Sequence, residues 1–384
     1  MNEKKNTLLY IAILLLCVCL TGSIAYKAGN TSSASALAEA NERYDEATQK
    51  AKQLQELNRE SIANLKIEGD TVYVIGHRNP DADTVITAIT YARLLNELGY
   101  PAKPAITMEV DKQTAYILEQ AGVETPEILY DASGLDIFLV DHSEYAQAAD
   151  GMEDAHIVGI LDHHGVGTVS TGNTLIYEAK PIGATATIVW LDYLNYGLEI
   201  DQQTAYLLLT AILSDTSNFI ASTTTETDRQ AAAILAAEAG VEDIDGLYAT
   251  MHEISLSYEG MSEEEILFND YKEYEASGVS FGIGLLNAID DETAVQLAVR
   301  MKKALEEYAS TKDVDLIYAS IGMRENGMKH DYIVPGNERS ESVLKNAFPD
   351  FEYDGTSYLY SSGLGRKTVF VPGLTDYLAE HPHE

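Results

Sequence analysis

The sequence has few cysteines and few basic side chains. Its two cysteines, Cys17 and Cys19, both lie in an apolar stretch near the N-terminus. Residues 20–384 therefore contain no disulfide, no cysteine nucleophile and no cysteine-based metal site. Lysines and arginines number 25 against 61 aspartates and glutamates, which gives a net charge of −36. A chain this acidic repels nucleic acid and anionic lipid, so we expect no polynucleotide partner.

The excess of acidic over basic charge lies in the chain after residue 66. Residues 67–384 carry 17 basic and 54 acidic side chains, whereas residues 1–66 are close to neutral. Residues 67–384 can attract an anion only where bound metal ions or a local group of cationic side chains reverse the negative electrostatic field. Apolar residues make up 46% of the chain, which is ample for buried cores.

An uncharged apolar stretch occupies the N-terminus. Residues 8–25 contain no charge and follow Lys4 and Lys5. A run of this length can cross a bilayer, but Ser23-Ile24-Ala25 also has the form of a signal-peptidase site. We expect residues 1–28 to be an uncleaved transmembrane anchor, with a cleaved signal as the alternative. The flanking charges favour a body outside the cytoplasm, while a cytoplasmic or a secreted body stays open.

A linker and a helix follow in residues 29–66. The linker is small and polar, and residues 37–65 then contain neither glycine nor proline. We therefore expect a spacer helix there. Its apolar residues recur at heptad spacing, at Leu37, Ala40, Tyr44, Ala47, Ala51 and Leu54. A homodimeric coiled coil and a single solvated helix both remain open.

Alternating strand and helix patterns begin at residue 67. Apolar runs at 71–75, 137–140, 157–161 and 174–177 predict buried strands, and helical patterns separate most of them. This alternation predicts an α/β fold with a parallel sheet flanked by helices in residues 67–252. A polar acidic stretch near residues 251–262 interrupts the pattern. A smaller α/β domain is predicted for residues 253–384.

Three motifs follow predicted strands directly. They are GHRNPDADTV at 76–85, VDHSE at 140–144 and LDHH at 161–164. Because ligands of open α/β sheets bind at the carboxyl ends of the strands, we expect these motifs to meet. With one acid from the end of a later helix, the candidate metal ligands are His77, Asp81, Asp83, Asp141, His163 and Asp215.

Imidazoles and carboxylates together suit Mn²⁺, Fe²⁺, Co²⁺ or Zn²⁺ rather than calcium. Six protein ligands are too many for one catalytic ion that must keep open positions. The set therefore predicts two ions that share a bridging carboxylate. Two metals at such spacing stabilise the attacking and leaving oxygens of phosphoryl hydrolysis.

The motifs resemble those of the DHH phosphoesterase superfamily and, within it, the family II manganese-dependent inorganic pyrophosphatases. The resemblance extends from about residue 71 to residue 374. It includes the segments PIGATATI at 181–188, LSDT at 213–216, DYKEY at 270–274 and GRK at 365–367. It implies a two-domain DHH fold and hydrolysis of pyrophosphate to two phosphates by a hydroxide that bridges two Mn²⁺ ions. Co²⁺ is an alternative metal, and Mg²⁺ would accompany the substrate.

The resemblance also implies roles for single residues. His77, Asp81 and Asp141 would hold one ion, and the other would be held by Asp83, Asp141, His163 and Asp215. Asp162 would orient a ligating imidazole. His164 would donate a hydrogen bond or a proton to the substrate. Phosphate would be held by Lys272, Arg366 and Lys367 of the C-terminal domain.

The sequence departs from the family pattern at Ala82, Ser143, Gly165 and Gly365, all near the expected substrate. A DHH phosphodiesterase that cleaves short oligonucleotides or cyclic dinucleotides is therefore an alternative. Against it, the chain lacks the GGGH-type motif of that branch. A tethered module that binds metal or phosphate without catalysis is a third hypothesis.

Overall fold

Two α/β units follow one another along the chain. The structure, a computed structural model, describes residues 33–309, 314–325 and 328–381. The units divide between Ser255 and Leu256, and each is built around one six-stranded sheet. The predicted two-domain α/β architecture is confirmed.

The sheet of the first unit is parallel throughout. Its order is β3-β2-β1-β4-β5-β6, and every neighbouring pair runs in the same direction. The strands are β1 (Val72–Ile75), β2 (Ala102–Ile106), β3 (Glu127–Ile128), β4 (Asp136–Val140), β5 (His156–Asp162) and β6 (Ile176–Ala179). Because β1, β4 and β5 are neighbours, the loops after them lie at one edge of the sheet.

Helices pack around this sheet. The helices of the first unit are α1 (Ser33–Ile62), α2 (Ala82–Glu97), α3 (Lys112–Ala121), α4 (Thr185–Tyr196), α5 (Gln202–Asp215), α6 (Glu226–Ala239) and α7 (Ile244–Leu256). The helix α2 is the next element after β1, across a loop of residues 76–81, and is buried along nearly all of its length. Its buried side chains pack with those of α4 and α5 in one core. The start of α2 is therefore fixed against the end of β1.

The end of α1 is attached to the first unit by side-chain hydrogen bonds. Gln55, Asn58 and Arg59 donate to the last carbonyls of α4 and to the glycine after it. The last carbonyls of a helix lack the N–H partners of its interior, so donors from α1 help to satisfy them, although that of Leu194 also accepts the N–H of Gly197 at 3.1 Å. Asn58, which interrupts the heptad pattern, donates one of these hydrogen bonds, to the carbonyl of Asn195. Leu54 stays 60% exposed, and the dimeric coiled coil remains a prediction for this single chain.

The structure does not support the membrane location expected from the sequence. Within the described residues, every helix is too short or too polar to cross a membrane. The expected anchor, residues 1–28, lies outside the described residues. We therefore withdraw the prediction that an N-terminal helix anchors the protein to a membrane.

The second unit has a mixed sheet of order β11-β12-β10-β9-β8-β7. Only β8 and β9 pair in parallel there, and the other described neighbours are antiparallel. Its strands are β7 (Tyr271–Ala276), β8 (Val279–Ala288), β9 (Leu316–Glu325), β10 (Met328–Pro335), β11 (Glu352–Tyr353) and β12 (Tyr358–Tyr360). Its helices are α8 (Glu263–Phe268), α9 (Asp291–Tyr308), α10 (Glu338–Ala347) and α11 (Val371–Glu380). One π-helical turn, Arg366–Phe370, precedes α11.

A buried carboxylate closes the amino-terminal edge of the first sheet. Asp136 begins β4 and is 3% exposed. It accepts the backbone N–H groups of Glu68 and Gly69 and a hydrogen bond from Nδ1 of His156. Burial alone would raise the pKa of Asp136, but the hydrogen bond from His156 and the two N–H groups lower it. The contact holds the chain that enters β1 against β4 and β5.

We expect Asp136→Ala to lower the free energy of unfolding by about 1–3 kcal/mol, because it leaves buried donors unsatisfied. Urea unfolding of both proteins near neutral pH measures the difference. Since folding lowers the pKa of Asp136, its contribution is present above the usual value of 3.8 and is lost as the pH falls below it. The variant and the parent should therefore converge in strongly acidic buffer. Equal stability at neutral pH would contradict this role.

Candidate metal centre

The side chains of the candidate site lie at the ends of three strands and of two helices. His77 follows β1, Asp141 follows β4, and His163 follows β5. Asp81 is the N-cap of α2, whose backbone N–H at Thr84 it accepts at 3.0 Å. Asp83 lies in the first turn of α2, and Asp215 is the last residue of α5.

The structure brings all six predicted ligands together. His77, Asp81 and Asp141 form one group whose donor atoms lie within 4.8 Å of one another. Asp83, His163 and Asp215 form a second group by the same measure. The predicted clustering is therefore present in the folded chain.

Asp141 connects the two groups. Its Oδ2 lies 3.4 Å from Nε2 of His77, and its Oδ1 lies 3.5 Å from Nε2 of His163. The same His163 nitrogen lies 3.4 Å from Oδ2 of Asp215, and it is buried without a hydrogen-bond partner among the described residues. Buried polar atoms are rarely left unsatisfied. An unsatisfied imidazole nitrogen facing carboxylates fits a bound cation.

Hydrogen bonds on the outer ring nitrogens orient both imidazoles. Nδ1 of His77 donates to the carbonyl of Arg78 at 2.8 Å, and Nδ1 of His163 donates to the carbonyl of Ile182 at 3.0 Å. In the neutral rings the Nε2 lone pairs are then free for a metal, as in many metal sites.

Neutral donors orient the two buried carboxylates. Asp83 accepts the backbone N–H groups of Thr185 and Ala186, at 2.7 and 2.9 Å, in the first turn of α4. A helix N-terminus stabilises a negative charge in this position. Asp141 accepts hydroxyl hydrogen bonds from Thr84 and Thr185, at 2.7 and 2.8 Å. The sequence motifs do not predict these threonine contacts, although PIGATATI contains Thr185.

The charges within the cluster shift its proton affinities strongly. Burial alone would lower the pKa of His77, but hydrogen bonds to Asp141 and Asp81 and their charges raise it to about 11. Burial and the nearby carboxylates raise the pKa of Asp215 to about 6, and they also raise that of Asp83. Burial opposes ionisation of Asp141, yet the hydrogen bond from His77 holds its pKa well below the usual range. Without a cation, the cluster therefore binds protons that a metal would displace.

Asp162 has a different partner from the expected one. We expected it to orient a ligating imidazole, but its Oδ1 accepts from the backbone N–H and Nδ1 of His164, at 2.9 and 3.0 Å. The imidazole of His163 is oriented by a backbone carbonyl instead. The hydrogen bond to Asp162 raises the pKa of His164, whose side chain is 56% exposed beside the cluster.

The three predicted phosphate-binding residues lie in the second unit. Lys272 is exposed on β7, and Lys367 is exposed in the π-helical turn. Arg366 differs from the expectation of an open phosphate contact, because its side chain is only 6% exposed. It donates to the carbonyl of Asp270 at 2.7 Å, to Oδ1 of Asp270 at 2.7 Å and to the carbonyl of Ile283. Lys272 pairs with Ile283 across the β7–β8 ladder, so Arg366 and Lys272 lie near each other.

Comparison with known proteins identifies the family. Residues 71–212 match the DHH family, N-terminal domain, and residues 249–377 match the DHHA2 domain. The manganese-dependent inorganic pyrophosphatase of Methanothrix thermoacetophila is 36% identical over 308 residues, or 79% of this chain and 97% of that protein. The protein of the same name from Methanocaldococcus jannaschii is 33% identical over 312 residues, with coverage of 79% and 97%. This chain belongs to the family II inorganic pyrophosphatases.

A solved structure agrees with membership in the family II inorganic pyrophosphatases. A crystal structure from Methanococcus jannaschii, described as a family II inorganic pyrophosphatase, is 31% identical with a TM-score of 0.53. The match covers 80% of this chain and 99% of that chain. The resemblance inferred from the motifs is thereby confirmed, whereas the role of each site residue remains a prediction.

We expect Mn²⁺ binding to release protons and to tighten as the pH rises. His77 is protonated near neutrality in the metal-free cluster, so affinity should rise about tenfold per pH unit there. The rise should steepen below about pH 6, where Asp215 also binds a proton. Calorimetric titration with Mn²⁺ in buffers of different ionisation enthalpy measures both the affinity and the protons released. Binding that is independent of pH and releases no protons would contradict this picture.

Proposed function

We propose that this chain hydrolyses inorganic pyrophosphate to two phosphates at a centre of two Mn²⁺ ions. The observation that carries the proposal is the position of the Asp141 carboxylate, whose two oxygens face two different imidazoles at 3.4 and 3.5 Å. A carboxylate placed in this way can bridge two adjacent cations. The relatives named manganese-dependent inorganic pyrophosphatases support both the metal and the substrate.

The proposed ligands divide into two sets that share Asp141. One set is His77, Asp81 and Asp141, and the other is Asp83, Asp141, His163 and Asp215. Three or four protein ligands leave positions open for oxygens of water and substrate. Bound there, divalent cations would polarise the phosphoryl oxygens and lower the pKa of the attacking water. Co²⁺ suits the same donors, and Mg²⁺ would enter with the substrate.

His164 is the proposed proton donor to the leaving phosphate. Its hydrogen bond with Asp162 raises its pKa, so the ring keeps its proton to a higher pH than a free imidazole does. Its Nδ1 lies 3.9 Å from Oδ1 of Asp141, which places the ring at the edge of the cluster. An exposed, protonated ring in this place can donate a hydrogen bond to a phosphate oxygen.

We assign catalysis to residues 67–252 and phosphate binding to residues 253–384. In the second part, Lys272 and Lys367 offer exposed ammonium groups. Arg366 contributes its charge from a fixed place, because Asp270 holds its guanidinium. Pyrophosphate is a compact polyanion, and an acidic chain binds it only where such cations are concentrated.

We expect the full chain with Mn²⁺ to release phosphate from pyrophosphate and to leave cyclic dinucleotides intact. Asp141→Asn should reduce kcat/KM by at least about 100-fold, because it removes the negative charge of the one carboxylate that belongs to both proposed ligand sets. Colorimetric phosphate release and chromatography of the nucleotides are the measurements.

Asp111→Asn is the matched control for this carboxylate. Asp111 is the N-cap of α3 and accepts the N–H of Thr114 at 2.7 Å, and among the described residues it belongs to neither group of candidate ligands. It should retain the parental rate. Full turnover by Asp141→Asn, or cleavage of dinucleotides with no action on pyrophosphate, would reject the proposed function.

Lys367→Ala should lower kcat/KM for pyrophosphate by about 10- to 100-fold, because one charge-assisted contact to the substrate is lost. Lys345→Ala is the control, since Lys345 is also exposed in the second unit but pairs with Glu341 at 2.9 Å. Steady-state kinetics at saturating Mn²⁺ separates effects on KM from effects on kcat. Equal kinetics for the two variants would remove Lys367 from the proposed site.

A further inference from the structure

We propose that Asp228 is a positioning residue that fixes three of the proposed metal ligands through residues 182–187. The inference rests on the proposed metal centre and extends it. Asp228 lies in the first turn of α6, 13 residues after the last proposed ligand, Asp215, and is fully buried. It lies outside the sequence motifs that predict the metal ligands.

Residues 182–187, the clamp segment, contact three proposed ligands. The carbonyl of Ile182 accepts from Nδ1 of His163. The backbone N–H groups of Thr185 and Ala186 donate to Asp83, and the hydroxyl of Thr185 donates to Asp141. A shift of this segment would therefore move His163, Asp83 and Asp141 together.

Asp228 holds the clamp segment at both ends. Its Oδ2 accepts the backbone N–H of Gly183 at 2.9 Å, and its Oδ1 accepts the hydroxyl of Thr187 at 2.6 Å. A side chain at position 183 would be only 2.8 Å from Oδ2 of Asp228 and 2.6 Å from Thr216. The approach is thus close enough to require glycine at this position.

The capping of α6 explains only part of this arrangement. Oδ2 of Asp228 also accepts the N–H and the hydroxyl of Thr225, which forms the capping box of α6. The bonds to Gly183 and Thr187 instead cross to the start of α4, where Ala184 provides no side-chain cap. Two acids from outside α4, Asp83 and Asp228, therefore satisfy donors at its start. Asp83 is a proposed ligand, and Asp228 fixes the distance of Asp83 from the rest of the cluster.

Loss of such a supporting contact commonly weakens metal binding by 10- to 100-fold without touching a ligand. We expect Asp228→Ala to weaken Mn²⁺ binding by about this factor, since Gly183 and Thr187 lose their acceptor. Asp228→Asn should recover most of the affinity. Its amide oxygen can accept from Gly183 while its amide nitrogen donates to the hydroxyl of Thr187.

The experiment measures Mn²⁺ affinity by calorimetry and stability by urea unfolding on the full chain. Asp136→Ala is the matched control, because Asp136 is equally a buried carboxylate that accepts two backbone N–H groups, but at the opposite edge of the sheet. Both alanine variants should lose stability, and only Asp228→Ala should lose affinity. Thr187→Val removes a single bond to Asp228 and should weaken binding by a smaller factor. It also serves as the test if Asp228→Ala does not fold.

The two proposals can fail separately. Parental Mn²⁺ affinity in both Asp228→Ala and Thr187→Val, with only stability lowered, would overturn the positioning role while leaving the pyrophosphatase proposal intact. An equal loss of affinity in Asp136→Ala would also overturn it, because the effect would then follow general destabilisation. Failure of the parental chain to bind Mn²⁺ would reject both proposals.

Discussion

The carboxylate of Asp141 is the interaction on which the rest of the site depends. It is buried, and its backbone has a φ of 62°, a left-handed conformation that is uncommon outside glycine, asparagine and aspartate. The hydrogen bond from its N–H to the carbonyl of Leu161, 2.8 Å long, holds this bend against β5. The bend ends β4 and leaves one carboxylate between His77 and His163. Strain at such a place is typical of functional sites.

Apart from the two imidazoles, the supports of this carboxylate are neutral donors. Hydroxyl groups of Thr84 and Thr185 donate to Asp141, and backbone N–H groups in the first turn of α4 donate to Asp83, so these contacts add no positive charge to the cluster. Direct ion pairs with lysine or arginine would have neutralised the two carboxylates. The cationic side chains proposed to bind phosphate belong to the other unit of the chain, and Arg366 there has its own carboxylate partner, Asp270.

The sequence allowed the site to be predicted better than its surroundings. The three motifs each follow an apolar run, and parallel strands bring such ends together, so the six ligand candidates were found without a structure. The strand β2 was missed because Lys103 and Pro104 interrupt its short apolar pattern. The partner of Asp162 and the burial of Arg366 depend on contacts between residues far apart in the chain. The φ of Asp141 depends on pairing with β5, which composition does not reveal.

The attachment of α1 has a consequence for any shortened form of this protein. Four carbonyl oxygens at the end of α4 and in the glycine after it, those of residues 194–197, accept hydrogen bonds from Gln55, Asn58 and Arg59. The opposite end of the same helix holds Asp83 and Asp141. A chain trimmed to start at residue 67 would lose these donors and loosen the end of α4 that lies opposite the proposed metal centre. The part of α1 that carries these donors thus belongs structurally to the first unit.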